Sequence, residues 1–153
     1  MIYIYYINKF SIKDCAEIKN ILDNQQGWRG QNHIFIMTND ISEADVIISK
    51  ESNAAIKKRF TSPELHGLSV TASYYDGSPS EIWINQNNWN NIPKEFLGSK
   101  RLYHEYLIQH EMGHVLGYKH KDPGLPTEPC PVMYQQTKGT RNRCISNPWI
   151  KIA

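Results

Sequence analysis

The chain has 153 residues, 40% hydrophobic and 21% charged, which suits one compact core and leaves too little length for a second ordinary domain. The formal charge is only +2, and the longest basic run, Lys57–Arg59, has no basic stripe beside it, so the pattern argues against a nucleic-acid partner. No apolar stretch approaches the roughly twenty residues a bilayer needs; the expectation is a single monomeric domain over 1–153, with no membrane or nucleic-acid partner.

The opening MIYIYYINKF is apolar, but it lacks a basic leader, a long apolar segment and a small-residue cleavage site. It reads as a strand over residues 2–7, rich in Ile and Tyr, and not as a signal peptide. The compartment stays open between an intracellular protein and one already trimmed. Ser11 followed by Asp14 resembles a capping box, and Ile12, Cys15, Ile18, Ile21 and Leu22 form one helical stripe behind it. Gly27 to Gly30 turn the chain. HIFIM (33–37) and ADVIIS (44–49) read as strands, and 51–60 as a short helix.

GLSVTASYY (67–75) looks extended, DGSPS breaks it, and EIWIN (81–85) is a further strand. Residues 86–95 read as a polar loop. The longest helical pattern runs from Arg101 to about Leu116, and KDPGLPTEPCPV after it can hold neither helix nor central strand. The order predicts an α+β fold, a twisted mixed sheet backed by helices. Cys130 and Cys144 flank one loop; a disulfide and a pair of buried thiols are both open readings, and Cys15 reads as a small core residue.

HEMGHVLGYKH (110–120) carries the chemistry. His110 and His114 lie four places apart, one helical turn, so both rings project from one face and can share an ion. Glu111 points to another azimuth, where it can reach water and not the metal. Gly117 can take a left-handed conformation that ends the helix and swings His120 back. Three imidazoles with an open fourth corner suit catalytic Zn2+. His33, His66 and His104 lack partners at metal spacing and read as structural or surface residues.

His110, Glu111, His114, Gly117 and His120 together resemble the H-E-x-x-H-x-x-G-x-x-H signature of the metzincin zinc peptidases. The resemblance implies a minimal metzincin-like fold in which the long active-site helix is followed by a methionine turn, with Met133 of CPVMY in that role. A Tyr-rich strand, the strand ending near Trp89, YLIQHEMGHVLGYKH, PVMYQQT and the closing NPW are also similar, over about 67–149, to a bacterial metzincin-like family of unknown function. One departure stands out: Tyr134 follows Met133 directly, where some metzincins place a zinc-contacting tyrosine two residues on.

The implied activity is hydrolysis of a peptide or protein substrate by zinc-activated water, with Glu111 as general base. The substrate is then expected along an edge strand within 67–75, a stretch that reads equally as an ordinary sheet strand; Gln135, Gln136 and Thr137 read either as bordering the pocket after the scissile bond or as turn residues that hydrogen-bond the loop. Two other readings stand beside it. One is a zinc-containing module that binds peptides with little turnover. The other is a structural zinc closed by Cys130 as fourth ligand.

Overall fold

The structure is a computed structural model that describes residues 1–150. Five strands, β1 (Ile2–Asn8), β2 (Ile34–Met37), β3 (Val46–Glu51), β4 (Val70–Ala72) and β5 (Ser80–Asn85), form one sheet in the order β2-β1-β3-β5-β4. The four strands β2, β1, β3 and β5 run parallel, and β4 pairs antiparallel with β5 at the edge. Four α-helices accompany them: α1 (Ile12–Asp23), α2 (Asn53–Arg59), α3 (Gln86–Asn90) and α4 (Lys100–Val115). Among the described residues no helix is long and apolar enough to cross a membrane.

The alternation of strand side chains decides which face is buried. Tyr5, Phe35, Val46, Ile48, Ile82 and Ile84 point to one side and join Ile18, Ile21 and Leu22 of α1 and Tyr103, Tyr106, Leu107 and Ile108 of α4 in a common core. Helix α1 begins at the expected Ser11 cap, and α4 begins one residue before the expected Arg101, on a Ser99 cap. The Ser11 hydroxyl accepts the Asp14 amide at 3.1 Å, and Ser99 does the same for Leu102 at 3.0 Å. The α1–β2 and α2–β5 stretches return the backbone so that successive strands align parallel, as crossovers do.

Helix α4 is buried along most of its length, from Tyr103 to Gly113 apart from half-buried Glu105. It has the sheet and α1 on one side and the irregular C-terminal segment on the other. This is why its polar side chains are bonded inside the protein. Gln109 donates to the Ile21 carbonyl at 2.7 Å. His104 stacks on Trp89 with centroids 3.5 Å apart and contacts Glu17 Oε1 and the Trp89 carbonyl, each at 2.8 Å.

Three expectations need correction. Residues 86–90, read as loop, are the short helix α3, because the Asn85 side chain accepts the Asn88 amide at 3.1 Å and Trp89 is drawn into the core. The extended reading of 67–75 contracts to Val70–Ala72, since Gly67 takes φ +81° before it and the backbone turns away after Ala72. Cys15 is half-buried, not a core residue. The Pro- and Gly-rich segment after α4 is irregular as its composition requires, and Cys130 and Cys144 are joined in a disulfide across it.

Candidate metal centre

Helix α4 ends as a glycine-terminated turn should. Gly117 takes φ +97°, its amide donates to the His114 carbonyl at 3.0 Å, and the Tyr118 amide donates to the Gly113 carbonyl at 2.9 Å. These two bonds define a Schellman motif. The reversed backbone brings His120 back beside the helix, and it is held to the next loop by the Lys121 amide on the Met133 carbonyl at 3.0 Å.

As a result one donor nitrogen each from His110, His114 and His120 lie within 4.8 Å of one another; among the described residues this is the one such cluster of possible metal ligands. The hydrogen bonds fix which nitrogens are available. His110 Nδ1 meets the Val132 carbonyl at 2.7 Å, and His114 Nδ1 meets the Tyr118 carbonyl at 2.9 Å. A carbonyl only accepts, so each Nδ1 carries the proton and each Nε2 presents a lone pair. His114 Nε2 and His120 Nε2 are 3.1 Å apart. A tetrahedral ion with bonds of about 2.0–2.1 Å sets its ligand nitrogens about 3.3 Å apart, so this pair has the spacing of two ligands to one ion.

The electrostatics point the same way. Burial holds the His110 imidazole down to about 3, opposed by its bond to Val132 and reinforced by the neighbouring histidines. Burial also lowers His114 and His120; for His120, His114 and then Lys138 add to the effect. Neutral rings compete less with protons and keep their lone pairs for a cation.

Glu111 is buried at 5% exposure. Its Oε1 accepts the Thr71 hydroxyl of β4 at 2.7 Å. Burial pushes its carboxyl up to about 8, with the Thr71 bond pulling the other way. The three histidines and Glu111 line a groove of about 370 Å³ whose far wall is β4 and the residues before it, including Leu65, Leu68 and Thr71. Gln135 and Thr137 also line it. Gln136 does not: it is fully buried and bonds Pro131, Asn147 and the Tyr106 hydroxyl, so of its two readings the loop-bonding turn residue holds and the pocket border does not.

Met133 lies under the helix at Gly113. A Cβ there would run into Met133 Sδ and would stand 2.9 Å from Trp28 Cζ2, so only glycine admits this approach. Trp28 is the core anchor its sequence context suggests, whereas Gly113 and Thr71 were passed over. Only Gly113 carried a signal, as a glycine inside a helix that otherwise has no reason to hold one. Cys130, weighed as a fourth ligand, has its sulfur bonded to Cys144 and offers no thiolate. Tyr134 is likewise engaged elsewhere, donating to the Gly139 carbonyl at 2.7 Å. His104 belongs to the core, and His33 and His66 stand apart from the cluster.

The molecule is thus an α+β sheet protein with a three-histidine cluster that could hold a metal ion, open to a groove along the sheet edge. Residues 12–149 match DUF3152, described as "Protein of unknown function", and the chain belongs to that family. Among solved structures, the structure of myroilysin aligns over 78% of this chain at 12% identity, with a TM-score of 0.49. The aligned part is 49% of that protein, so this chain spans about half its length. A search of curated proteins finds no match.

Proposed function

We propose that this protein is a zinc-dependent peptidase of metzincin type, hydrolysing peptide or protein substrates in the groove between α4 and β4. The observation that carries the reading is the convergence of three neutral imidazole nitrogens with a buried carboxylate on one open groove. A binding-only site has no use for a glutamate held there. His110, His114 and His120 would hold the ion. When bound, zinc supplies Lewis acidity, lowering the pKa of water to about 7 and polarising a carbonyl.

The rest is the work of the protein's own groups. Glu111 keeps Oε1 on the Thr71 hydroxyl, which leaves Oε2 to take the proton from the attacking water and pass it to the departing amine. The carbonyls of Val132 and Tyr118 hold the ring orientation of His110 and His114. Met133, packed on Gly113, supports the loop that carries the Val132 carbonyl, the place the methionine turn takes in the resemblance. Among the described residues, edge strand β4 has no partner strand on one side, and an extended peptide adding there would run past Glu111.

The test is metal analysis combined with a peptide-cleavage assay that is abolished by a chelator and restored by zinc. Wild type is expected to hold one zinc per chain and to cleave. Glu111→Gln is expected to hold zinc and to lose activity by orders of magnitude. Stoichiometric zinc with peptide binding and no cleavage in wild type would replace the peptidase by a zinc-containing binding module.

A further inference from the structure

Beside the three-histidine groove lies a second concavity of about 600 Å³, and its lining is predominantly basic. Lys94, Lys138, Arg141 and Arg143 line it, with Glu95 as its one acidic wall residue. Four cations less one carboxylate give +3, against +2 for the whole chain; the remaining residues are therefore net negative. Positive charge that looks scattered along the sequence is gathered at this place. None of the four cations is in an ion pair with a carboxylate among the described residues.

Two features set this apart from an ordinary solvated patch. First, the basin adjoins the groove, with Gln135 lining both. A peptide lying across Glu111 and leaving past Gln135 enters the basin directly. Second, the cations are mounted on a fixed frame. The Thr140 amide donates to the Glu95 carbonyl at 3.0 Å, and the Leu97 amide donates to the Thr140 hydroxyl oxygen at 3.1 Å, joining the two segments that form the walls. Tyr134 closes the turn onto Gly139, and Cys144, next to Arg143, is tied by its disulfide to Cys130. Side chains held on an ordered backbone lose less freedom when they bind.

We propose that this basin is a carboxylate-recognition subsite, and that the preferred substrates are acidic peptides whose Asp or Glu side chains enter it on one side of the scissile bond. The inference rests on the peptidase reading of the adjoining groove. Arg141 and Arg143 offer guanidinium forks suited to carboxylates, and Lys94 and Lys138 add a diffuse attraction. Exposed ion pairs are individually weak, so two or three together are worth about tenfold in kcat/KM, declining as salt rises above about 0.15 M. The free C-terminus of a peptide presents the same carboxylate chemistry and is the other source to be separated.

The experiment uses the zinc-loaded full-length protein and quenched fluorescent peptides in which a single Glu is stepped through each position, amidated or free at the C-terminus. Cleavage is read as kcat/KM, and binding is read in parallel by anisotropy of labelled peptides. The expected result is a gain of about tenfold for Glu over Gln at adjacent positions on one side of the scissile bond, in amidated peptides. In Arg141→Glu/Arg143→Glu the Glu-to-Gln ratio should invert, and Lys should become favoured there. Cleavage with no charge preference, or a preference unchanged in the double variant, overturns the subsite while leaving the peptidase reading intact. A preference confined to free C-termini overturns it in favour of terminal-carboxylate capture. If nothing is cleaved, the peptidase reading fails, and the anisotropy arm still decides the subsite: tighter, salt-sensitive binding of the Glu peptides that the double variant loses supports it, and equal binding overturns it.

Discussion

Thr71→Val isolates one hydrogen bond and asks whether Glu111 acts as a base. Thr71 Oγ1 donates to Glu111 Oε1 at 2.7 Å and lies 3.3 Å from the Glu111 carbonyl. Valine keeps the volume and β-branching that suit β4 and removes only the hydroxyl. A hydrogen bond to an ionised partner contributes about 1.5–3 kcal/mol. Thr71 is only half-buried, so water entering the groove replaces part of it, and we take the lower end, about 1.5 kcal/mol. At 1.36 kcal/mol per unit this raises the Glu111 pKa by about one unit. Burial already holds that carboxyl up and the Thr71 bond holds it down, so the sign is fixed: losing the hydroxyl favours the protonated form. The base must be ionised, so the acid limb of the kcat/KM profile should move about one pH unit higher. Well above the limb, activity should return to near the wild-type value. The assay is peptide cleavage from about pH 5 to 9 with zinc content checked at each pH. An acid limb that stays in place in a zinc-replete variant would refute the assignment of Glu111 as the titrating base.

Three further outcomes are expected. Gly117→Ala places a Cβ in open space but at φ +97°, a conformation costing an L-residue about 1–2 kcal/mol; relaxing it frees His120, so metal affinity by chelator competition should drop about tenfold, and unchanged affinity would mean that the turn does not position His120. Reducing the Cys130–Cys144 disulfide, which spans 14 residues, should remove about 3 kcal/mol and lower Tm by about 6–12 °C; a Tm within about 2 °C of the oxidised form would show that the hydrogen bonds of Gln136 and Asn147 hold the segment alone. For the metal-free protein, His110 is held down to about 3 from 6.5, so its contribution is present above pH 6.5 and lost as pH falls towards 3. Glu111, held up to about 8 from 4.5, contributes below pH 4.5 and ceases to as pH rises through 8. Denaturant unfolding should therefore show a plateau between about pH 4.5 and 6.5 with losses on both sides, and stability that climbs from pH 6.5 to 8 would contradict the burial of Glu111.

Sequence alone determined whatever depends on near neighbours along the backbone. Ser11 and Ser99 precede helical stripes, and the bonds they make span three residues. His110 and His114 are one turn apart, and Gly117 needs only its own φ to bend the backbone, so the clustering of these two histidines with His120 was readable from spacing and backbone chemistry. The α+β layering followed from the order of the predicted strands and helices, each of them a local pattern. Errors fell where a local pattern is short: three residues of β4 look like nine in a β-rich stretch, and a five-residue helix capped by Asn85 looks like a polar loop.

Tertiary structure decided the rest, because those contacts join segments that share no local signal. Thr71 reaches Glu111 across 40 residues, and Trp28 reaches the Gln109 carbonyl across 81. Whether Cys130 is a thiolate or a disulfide partner turned on the path of the loop between it and Cys144. Lys94 and Arg143 come to line one basin because the Thr140 amide bonds the Glu95 carbonyl and the Thr140 hydroxyl accepts the Leu97 amide. Charge adds over distance regardless of sequence order, so a basin of four cations is invisible in a linear count, and only folding makes it a site.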